Sequence, residues 1–358
     1  MFSRRGTTIR AYPHRRTGVH FAGICATLSL TLVPVAGTLP GAPSAAAEDF
    51  YAGKTVTVIV GFAPGGGVDT TARTVARHLV RFIPGQPGLV VQNMEAAAGL
   101  VAATHMTRRV VPDGLTLAVP GRSWFIEGIV KSPGVTFDPT KFSYIGSPGA
   151  VNSVMYVRAS TGVTSFDKLK AAPRTLIFGA LRSNTPTAMV PAMLARRGAP
   201  IRPVPSYGST ARVLIALRQG EVDGFFTVED SFAHQEDMIE NGLVVPILQT
   251  KPKLPGVPVL RDLLPASDGP LLTLVLALED FGLPLVGPPG MAAERVELLR
   301  SAFTQMGRDP DYQAEAARMN MPVGAPIGGA QLAAMVSELA AHTAPDVVAA
   351  YRRLTEGN

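Results

Sequence analysis

The residues with the clearest potential for chemistry form one short segment, Ala63-Pro64-Gly65-Gly66-Gly67-Val68-Asp69, which follows an apolar, β-branched run at 56–62. Glycines can adopt positive φ angles and let another molecule approach the backbone closely. Beyond the glycines, apolar residues recur at helical spacing, and Asp69 is the predicted N-cap of that helix. A loop that opens onto a helix N terminus offers free N–H groups and a positive dipole end. The segment is therefore suited to binding an anion such as a carboxylate.

This strand–loop–helix unit also has a purely structural interpretation, because many α/β proteins contain a glycine-rich turn that binds nothing. The segment is not a G-x-G-x-x-G dinucleotide motif, since position 70 is threonine, and no Gly-Lys-Ser/Thr follows as in a phosphate-binding loop. The sequence therefore disfavours nucleotide binding and leaves anion binding and a structural turn open.

The first 47 residues predict an export signal rather than part of the fold. An arginine-rich start without acids precedes an apolar stretch at 22–35, which is too short to span a bilayer comfortably. The small residues that end at Ala47 fit a signal-peptidase site, so we expect a periplasmic mature protein that begins at Glu48. Arg15-Arg16 permits a twin-arginine signal, but the residues that follow favour an ordinary Sec signal.

The charge balance changes once this signal is removed. The full chain has 33 basic and 27 acidic residues, and the signal contains five of the arginines and none of the acids. The mature protein is thus nearly neutral and has no basic tract with interleaved aromatic residues, which argues against nucleic-acid binding. Cys25, the single cysteine, also lies in the signal, so the mature protein is predicted to form no disulfide. About 311 residues remain, enough for two lobes.

The order of predicted elements indicates an α/β fold. Three predicted strands, at 56–62, 89–93 and 115–119, alternate with helices, which indicates a parallel sheet whose ligands lie beyond the carboxyl ends of the strands. The loops after these strands, 63–69, 95–99 and 121–124, should therefore surround one hollow. Trp124, the only tryptophan, is either a wall of that hollow or part of the core, and we favour the core.

A second α/β set follows from about Tyr144. Thr185 and Pro186 mark a helix start after a strand at 175–178, and Tyr207-Gly208-Ser209 form a turn before the next helix. Farther along, the apolar run 271–278 is predicted to be a strand, and 292–306 and 331–354 are predicted to be amphipathic helices.

An ordered set of short motifs runs along the mature chain: Phe50-Tyr51, Lys54-Thr55-Val56, Val60-Gly61-Phe62-Ala63-Pro64-Gly65-Gly66-Gly67-Val68-Asp69, Ala72-Arg73, Val91-Gln92-Asn93-Met94, Pro112-Asp113-Gly114-Leu115-Thr116-Leu117, Val204-Pro205, Tyr207-Gly208-Ser209, Gly220-Glu221-Val222-Asp223, Leu254-Pro255-Gly256-Val257-Pro258 and Pro288-Pro289-Gly290. This set resembles the substrate-binding proteins of tripartite tricarboxylate transporters, also called the Bug family. Each motif is weak alone, but their order covers essentially the whole mature chain.

The resemblance implies a two-lobed periplasmic-binding-protein fold of the second type, in which each lobe is a mostly parallel sheet flanked by helices. Lobe 1 would contain residues 48–145 and 244–358, and lobe 2 would contain residues 146–243. The resemblance further implies a protein that binds a small carboxylate between the lobes, with no cofactor, no metal and no catalytic activity. The sequence leaves the oligomeric state open, and a monomer is the default expectation for a two-lobed protein that closes on its ligand. Its membrane partner would be the permease subunits of a tripartite transporter.

The family's binding residues can be transferred to the positions that match them, and one arginine is added from the chain's own sequence. The predicted ligand-binding residues are Ala63, Pro64, Gly65, Gly66, Gly67, Val68, Asp69, Ala97, Ala98, Gly99, Arg182, Ser183, Asn184, Thr185, Tyr207, Gly208 and Ser209. Arg182 is the addition, and it is either an anchor for an acid group or a solvated loop residue.

Three positions depart from the family pattern. The second loop reads Glu95-Ala96-Ala97-Ala98 where relatives usually have Pro-Gly-Ala-Gly, Val68 replaces a common hydroxyl residue, and Ala188 replaces a histidine. These changes leave the predicted fold intact and bear on which ligand is bound.

Two other functions remain as alternatives. The chain could be a binding module that supplies a membrane sensor kinase, which the sequence does not separate from transport. A secreted hydrolase is disfavoured, because the sequence contains no G-x-S-x-G nucleophile motif and the four mature histidines are widely scattered, without metal-ligand spacing.

Overall fold

The computed structural model describes residues 50–232, 235–319, 321 and 326–356. The predicted export signal and its cleavage site therefore lie outside the described residues. The described part forms two β-sheets flanked by helices. None of its helices combines the length and the apolar character needed to cross a membrane.

The first sheet contains six strands: β1 (Thr55–Val60), β2 (Gly88–Asn93), β3 (Thr116–Val119), β4 (Ser143–Ser147), β10 (Leu285–Gly287) and β11 (Ile327–Gly328). Their spatial order is β11-β4-β10-β3-β1-β2. The second sheet contains five strands: β5 (Ser153–Arg158), β6 (Leu176–Gly179), β7 (Ile201–Val204), β8 (Gly224–Val228) and β9 (Val244–Gln249). Their spatial order is β7-β6-β8-β5-β9.

Both sheets are mixed, which corrects the expectation of mostly parallel sheets. In the first sheet β1 runs parallel to β2 and β3, whereas β10 and β4 run antiparallel to their neighbours. In the second sheet β6 runs parallel to β7 and β8, whereas β5 runs antiparallel to β8 and β9. The parallel strands are those joined by consecutive β-α-β units, and the strands by which the chain leaves or re-enters a sheet need not follow that direction.

The pairing of β9 bears on the predicted lobe boundary. β9 pairs with β5, so residues 244–249 lie in the second sheet and not with the first, where the boundary after residue 243 placed them. The rest of the predicted division into lobes stays a prediction.

The helices flank these sheets in the order that the alternating pattern indicated. They are α1 (Gly67–Leu79), α2 (Leu100–Arg108), α3 (Trp124–Ile129), α4 (Phe166–Lys170), α5 (Pro186–Arg196), α6 (Thr210–Gln219), α7 (Glu236–Glu240), α8 (Leu260–Leu263), α9 (Gly269–Phe281), α10 (Ala293–Arg308), α11 (Pro310–Arg318), α12 (Gly329–His342) and α13 (Pro345–Thr355). The predicted single helix at 331–354 is two helices, because Pro345 begins a new one.

The predicted strand at 271–278 was wrong, because α9 occupies this segment. A short apolar run cannot be assigned to a buried strand or a buried helix by periodicity alone. Here most side chains are buried, since α9 contacts α3, α5 and α13, and the hydrophobic pattern therefore continues around the helix. Pro270 in the first turn was the available signal for a helix start.

One apolar core joins the two sheets. Its largest buried cluster takes Ile59 and Ala118 from the first sheet and Phe178 and Phe226 from the second, with Leu274 of α9 in the same cluster. Burial of such side chains is the main favourable term in folding. The sheets are thus held by shared packing as well as by the chain segments that cross between them.

The two crossing segments, 148–152 and the residues after β9, are joined by polar contacts. The backbone N–H of Lys251 and the hydroxyl of Thr250 donate to Asn152 Oδ1 at 2.9 and 3.2 Å. The Thr250 hydroxyl also contacts Glu279 Oε2, and the Val151 N–H donates to the Glu279 carbonyl at 2.8 Å. Glu279 is 1% exposed. This acid of α9 therefore lies against both crossings.

Burial raises the pKa of Glu279 above its usual value, and the neighbouring Asp280 acts in the same direction. The opposing contributions of Ser153, Thr250 and the Lys251 ammonium only reduce this effect. Folding therefore favours a proton on Glu279 at pH values where the unfolded chain has released it.

The substitution Glu279→Gln is expected to remove a pH-dependent loss of stability. Because the folded pKa is raised, the unfolding free energy of the wild type falls as pH rises from 4.5, the unfolded value, through the folded pKa. The wild type should therefore lose stability relative to the variant as the pH is raised above 4.5. Urea unfolding of both proteins at several pH values checks this, and a difference that does not change with pH would contradict it.

Candidate functional site

The first glycine loop connects β1 to α1. Gly66 is the N-cap of α1, and the helix begins at Gly67, so Asp69 lies in the first turn and is not the predicted N-cap. No side chain caps this helix start, and Gly65 has a positive φ of 77°. Pro64 and the glycines up to Gly67 are exposed. The loop thus presents uncapped backbone at the positive end of a helix, as the anion-binding prediction requires.

Asp69 supports this loop from inside. Its carboxylate is 2% exposed and accepts hydrogen bonds from the Gly65 N–H at 2.9 Å, Arg73 Nε at 2.9 Å and Asn93 Nδ2 at 2.7 Å. Asn93 ends β2, and its Nδ2 also donates to the Phe62 carbonyl at 2.8 Å. Asp69 therefore fixes the loop to the neighbouring strand, and its own oxygens are already occupied.

Ionised Asp69 is the form that the structure stabilises. Burial opposes its ionisation, but the hydrogen bonds from Arg73, Asn93 and Gly65, with the Arg73 charge, outweigh burial and hold the pKa of Asp69 below its usual value. The Arg73 side chain is 41% exposed, so solvent screens part of this interaction.

The substitution Asp69→Ala is expected to lower the unfolding free energy by about 1–3 kcal/mol near neutral pH, because the partly buried Asn93 amide and the Gly65 N–H lose their acceptor. The loss should shrink as the pH falls through the depressed folded pKa, since the wild-type carboxylate then becomes protonated. Denaturant unfolding near neutral and acidic pH measures both effects. Asp167→Ala is the matched control, because the Asp167 side chain is 88% exposed, and it should change little. Equal effects of the two substitutions would contradict the assigned role.

The loops after β1, β2 and β3 meet in direct backbone contact. A Cβ placed on Gly61 or on Gly99 would overlap the Pro120 carbonyl oxygen, and the Gly61 Cβ would also approach Gly99 Cα to 2.9 Å. A Cβ on Gly121 would approach the Phe62 ring and would lie 3.5 Å from the Ala98 carbonyl oxygen. The structure therefore brings together the three loops that the sequence placed around one hollow.

The second loop has an unusual backbone. Ala97, Ala98 and Gly99 all have positive φ angles, of 47°, 54° and 92°. Such angles are strained for alanine, at about 1–2 kcal/mol per residue, and natural for glycine. This is the segment where the sequence departs from the Pro-Gly-Ala-Gly pattern. Ala98 takes the place of the second glycine and is left-handed, whereas Ala96, in place of the first glycine, has an extended backbone.

The third loop leads into α3. Trp124, the first residue of α3, is fully buried and stacks among aromatic residues that include Phe142 and Tyr144. This confirms its interpretation as a core residue. Arg122, just before it, is half-buried at the end of the loop.

The predicted residues of the second sheet form two adjoining segments. Thr185 is the N-cap residue of α5, with Pro186 in the first turn, as predicted. Its hydroxyl bonds to the Arg182 carbonyl at 2.7 Å and to Thr187 Oγ1 at 2.6 Å, so it does not cap a helix N–H. Pro186 has no N–H, and the Ala188 N–H donates to the Thr185 carbonyl at 3.0 Å, so the Thr187 N–H is the one in this first turn that is left without a cap.

The turn before α6 lies next to this helix start. The Tyr207 N–H donates to the Ala180 carbonyl at 3.3 Å, and the Gly208 N–H donates to the Leu181 carbonyl at 3.4 Å. Ser209 caps α6 through a 3.4 Å bond from the Arg212 N–H. Arg182, between these segments, is exposed.

The loop that precedes α5 contacts α3 through Glu127, a residue that the sequence did not single out. Asn184 Nδ2 donates to Glu127 Oε1 of α3 at 3.3 Å. Glu127 is 6% exposed and also accepts from the hydroxyls of Ser132 and Tyr351. A lone acid inside the apolar run of α3 was the available signal for a buried, hydrogen-bonded carboxylate. Asn93 was likewise missed as a loop support.

Comparisons with known proteins agree with the family resemblance. No family model matches the chain. The chain is 26% identical over 294 residues to the "UPF0065 protein in gbd 5'region" of Cupriavidus necator, which covers 79% of this chain and 84% of that protein. It is 30% identical over 187 residues to BugT of Bordetella pertussis, which covers 49% of this chain and 56% of that protein.

Solved structures share the fold. MatC (Rpa3494) from Rhodopseudomonas palustris, solved with bound malate, aligns with a TM-score of 0.60 at 20% identity over 82% of this chain and 99% of that one. The predicted fold class, a two-lobed α/β fold of the periplasmic-binding-protein kind, is thereby confirmed, with mixed sheets.

Proposed function

Starting from the relationship of this chain to Bug-type proteins, we propose that it is an extracytoplasmic solute-binding protein that captures a small carboxylate between its two sheets. The finer part of the proposal is delivery of that ligand to a membrane permease of the tripartite tricarboxylate type. The observation that carries the proposal is the backbone contact among the loops that contain Gly61, Gly99 and Pro120, together with the hydrogen bond from Asn184, in the loop before α5, to Glu127 of α3.

The chemistry of the loops supports a carboxylate ligand. The start of α1 and the start of α5 both lack a side-chain cap, so the first-turn N–H groups of α1 and the Thr187 N–H of α5 are available to oxygen ligands at the positive ends of two helix dipoles. Asp69 is occupied in holding the first loop, and its proposed contribution to binding is therefore positional. The exposed Arg182 guanidinium supplies a cation beside the second helix start.

The proposed mechanism requires no titrating group at the ligand. Backbone N–H groups bind a carboxylate in its ionised form across the neutral pH range. Ligand contacts to loops of both sheets would favour the arrangement in which these loops are close, which is the general basis of domain closure in two-lobed binding proteins.

A thermal-shift titration of the purified protein tests the proposal. Malate and adipate are the probes, and their neutral diamides are the controls. A ligand that binds only the folded state should stabilise it by about 2.7 kcal/mol at 100 times its Kd. We expect at least one of the two carboxylates to raise Tm and the corresponding diamide to have no effect. Equal shifts with acid and diamide, or none with any carboxylate, would contradict carboxylate capture.

A further inference from the structure

A groove of about 560 Å³ lies on the first-sheet side of the molecule, beside the second loop. One wall is the face of α2 from Leu100 to Arg108. The other walls are the end of β2 with the second loop, and the loop at 133–135 that follows α3. We refer to this surface as the α2 groove. Its lining residues come only from the first part of the chain, so it is separate from the loops of the second sheet.

The α2 groove combines an apolar floor with a cationic end. Met94, Leu100, Val101 and Val135 supply the apolar part, and Val101 is 43% exposed. Among the described residues that line the groove, the ionisable ones are all basic, namely His105, Arg108 and Arg109. An occupant that complements this surface carries apolar side chains with acidic groups at one end.

The shape of the groove favours a protein segment over a small solute. The groove is open to solvent, with Arg108, Arg109 and Pro133 exposed along its rim. The α2 wall spans the nine residues of that helix, a length of about 14 Å. Small-molecule sites enclose most of their ligand's surface, whereas an open groove along a helix suits an extended or helical segment of another chain.

The α2 groove shares a wall with the proposed ligand site. Ala97 lines the groove and belongs to the second loop, where Ala97 and Ala98 hold strained left-handed angles. Strained segments persist where their surroundings fix them, and they are suited to switching when those surroundings change. A ligand bound at the loops would therefore act directly on the wall of the groove.

From these features we propose that the α2 groove is the docking surface for an acidic, apolar extracytoplasmic segment of the membrane permease. This inference rests on the proposed function, because the α2 groove would be the surface through which the permease recognises that the protein has bound its ligand. Arg108 and Arg109 would pair with acidic side chains of the permease, and Val101 and Met94 would pack against its apolar ones. The ion pairs would contribute mainly to encounter rate and specificity.

Charge reversal in the groove separates docking from ligand binding. The double variant Arg108→Glu/Arg109→Glu replaces two exposed cations and removes one hydrogen bond, which Arg108 donates to Thr136 Oγ1 at 2.9 Å. In the source organism with its own copy deleted, this variant should reduce uptake of the bound carboxylate by about tenfold or more. Purified variant and wild type should bind that carboxylate with affinities within about twofold, because neither arginine lies in the ligand loops.

Two further variants serve as matched controls for uptake. Arg202→Glu/Arg308→Glu makes the same charge change at exposed positions away from the groove and should leave uptake unchanged. Arg108→Lys/Arg109→Lys keeps the charge and should restore most of the uptake. Wild-type uptake by the charge-reversed groove variant, with ligand binding intact, would overturn the docking proposal. Failure of the wild type to bind any carboxylate would instead overturn the proposed function.

Site-specific crosslinking identifies the occupant of the groove and does not depend on uptake. A benzophenone amino acid in place of Val101, in cells of the source organism, should crosslink to a membrane permease through a segment that contains acidic residues. The same amino acid in place of Ile215, which is 55% exposed on α6, is the control and should not give this product. A crosslinked pair of copies of this chain, or no product at position 101, would overturn the proposal.

Discussion

The substitution Gly99→Ala should destabilise the protein by about 3–5 kcal/mol and abolish carboxylate binding. Gly99 has a φ of 92°, which costs alanine strain, and an added Cβ would overlap the Pro120 carbonyl oxygen. This contact is backbone against backbone, so no side-chain rotation relieves it. Either Gly99 or Pro120 has to move, and both belong to the loops that form the proposed site. Urea unfolding and calorimetric titration with malate measure the two effects.

The control for this prediction is Gly67→Ala, a change of the same size in the first glycine loop. A Cβ on Gly67 would meet no atom within 4 Å, and this residue already begins α1. The unfolding free energy of the Gly67→Ala variant should differ from that of the wild type by less than about 1 kcal/mol. A small gain is expected, because alanine reduces the conformational freedom of the unfolded chain. Comparable destabilisation by the two alanines would show that the contact among the three loops has no special importance.

The second large effect is expected for Glu127→Ala. This buried carboxylate accepts hydrogen bonds from Asn184 at 3.3 Å, from the Tyr351 hydroxyl at 3.2 Å and from Ser132. Burial first, and then the Glu127 charge, raises the pKa of Tyr351 far above its usual value, so this hydroxyl remains a donor at any physiological pH. Removing the acceptor leaves the buried Tyr351 hydroxyl and the partly buried Asn184 and Ser132 donors unpaired, and should cost about 2–4 kcal/mol.

Glu127→Ala should also weaken ligand binding, because Asn184 belongs to the loop that precedes α5. A double-mutant cycle with Asn184→Ala separates this effect from general destabilisation. The two substitutions should be non-additive for ligand affinity if the contact between them positions the loop. Glu127→Gln retains one acceptor and should have a smaller effect on stability. Strict additivity in affinity would mean that Asn184 and Glu127 act independently.

The local elements around the site followed from the sequence because their signals are local. Gly65 and its neighbours predicted the break between β1 and α1, and Thr185 with Pro186 predicted the start of α5. Both depend on backbone preferences that neighbouring residues determine. The segment occupied by α9 was predicted wrongly because its burial comes from distant helices, which no local pattern reports.

The roles of individual side chains were less predictable than the elements. The sequence predicts that Asp69 is an N-cap and a ligand-binding residue. In the structure its carboxylate oxygens instead accept hydrogen bonds from Gly65, Arg73 and Asn93. These partners depend on the pairing of β1 with β2, which becomes known only with the fold. The position of Glu127 depends in the same way on the approach of Asn184 and Tyr351, which are far away in sequence.

The most direct test of the central claim is a crystal structure of the protein grown with a carboxylate that raises its Tm, with malate as the first choice. We expect electron density for one carboxylate group at the Gly65–Gly67 loop, within hydrogen-bond distance of backbone N–H groups, and contacts from the loop that precedes α5. Ligand density in the α2 groove or elsewhere, with these loops unoccupied at saturating malate, would contradict the assignment of the site.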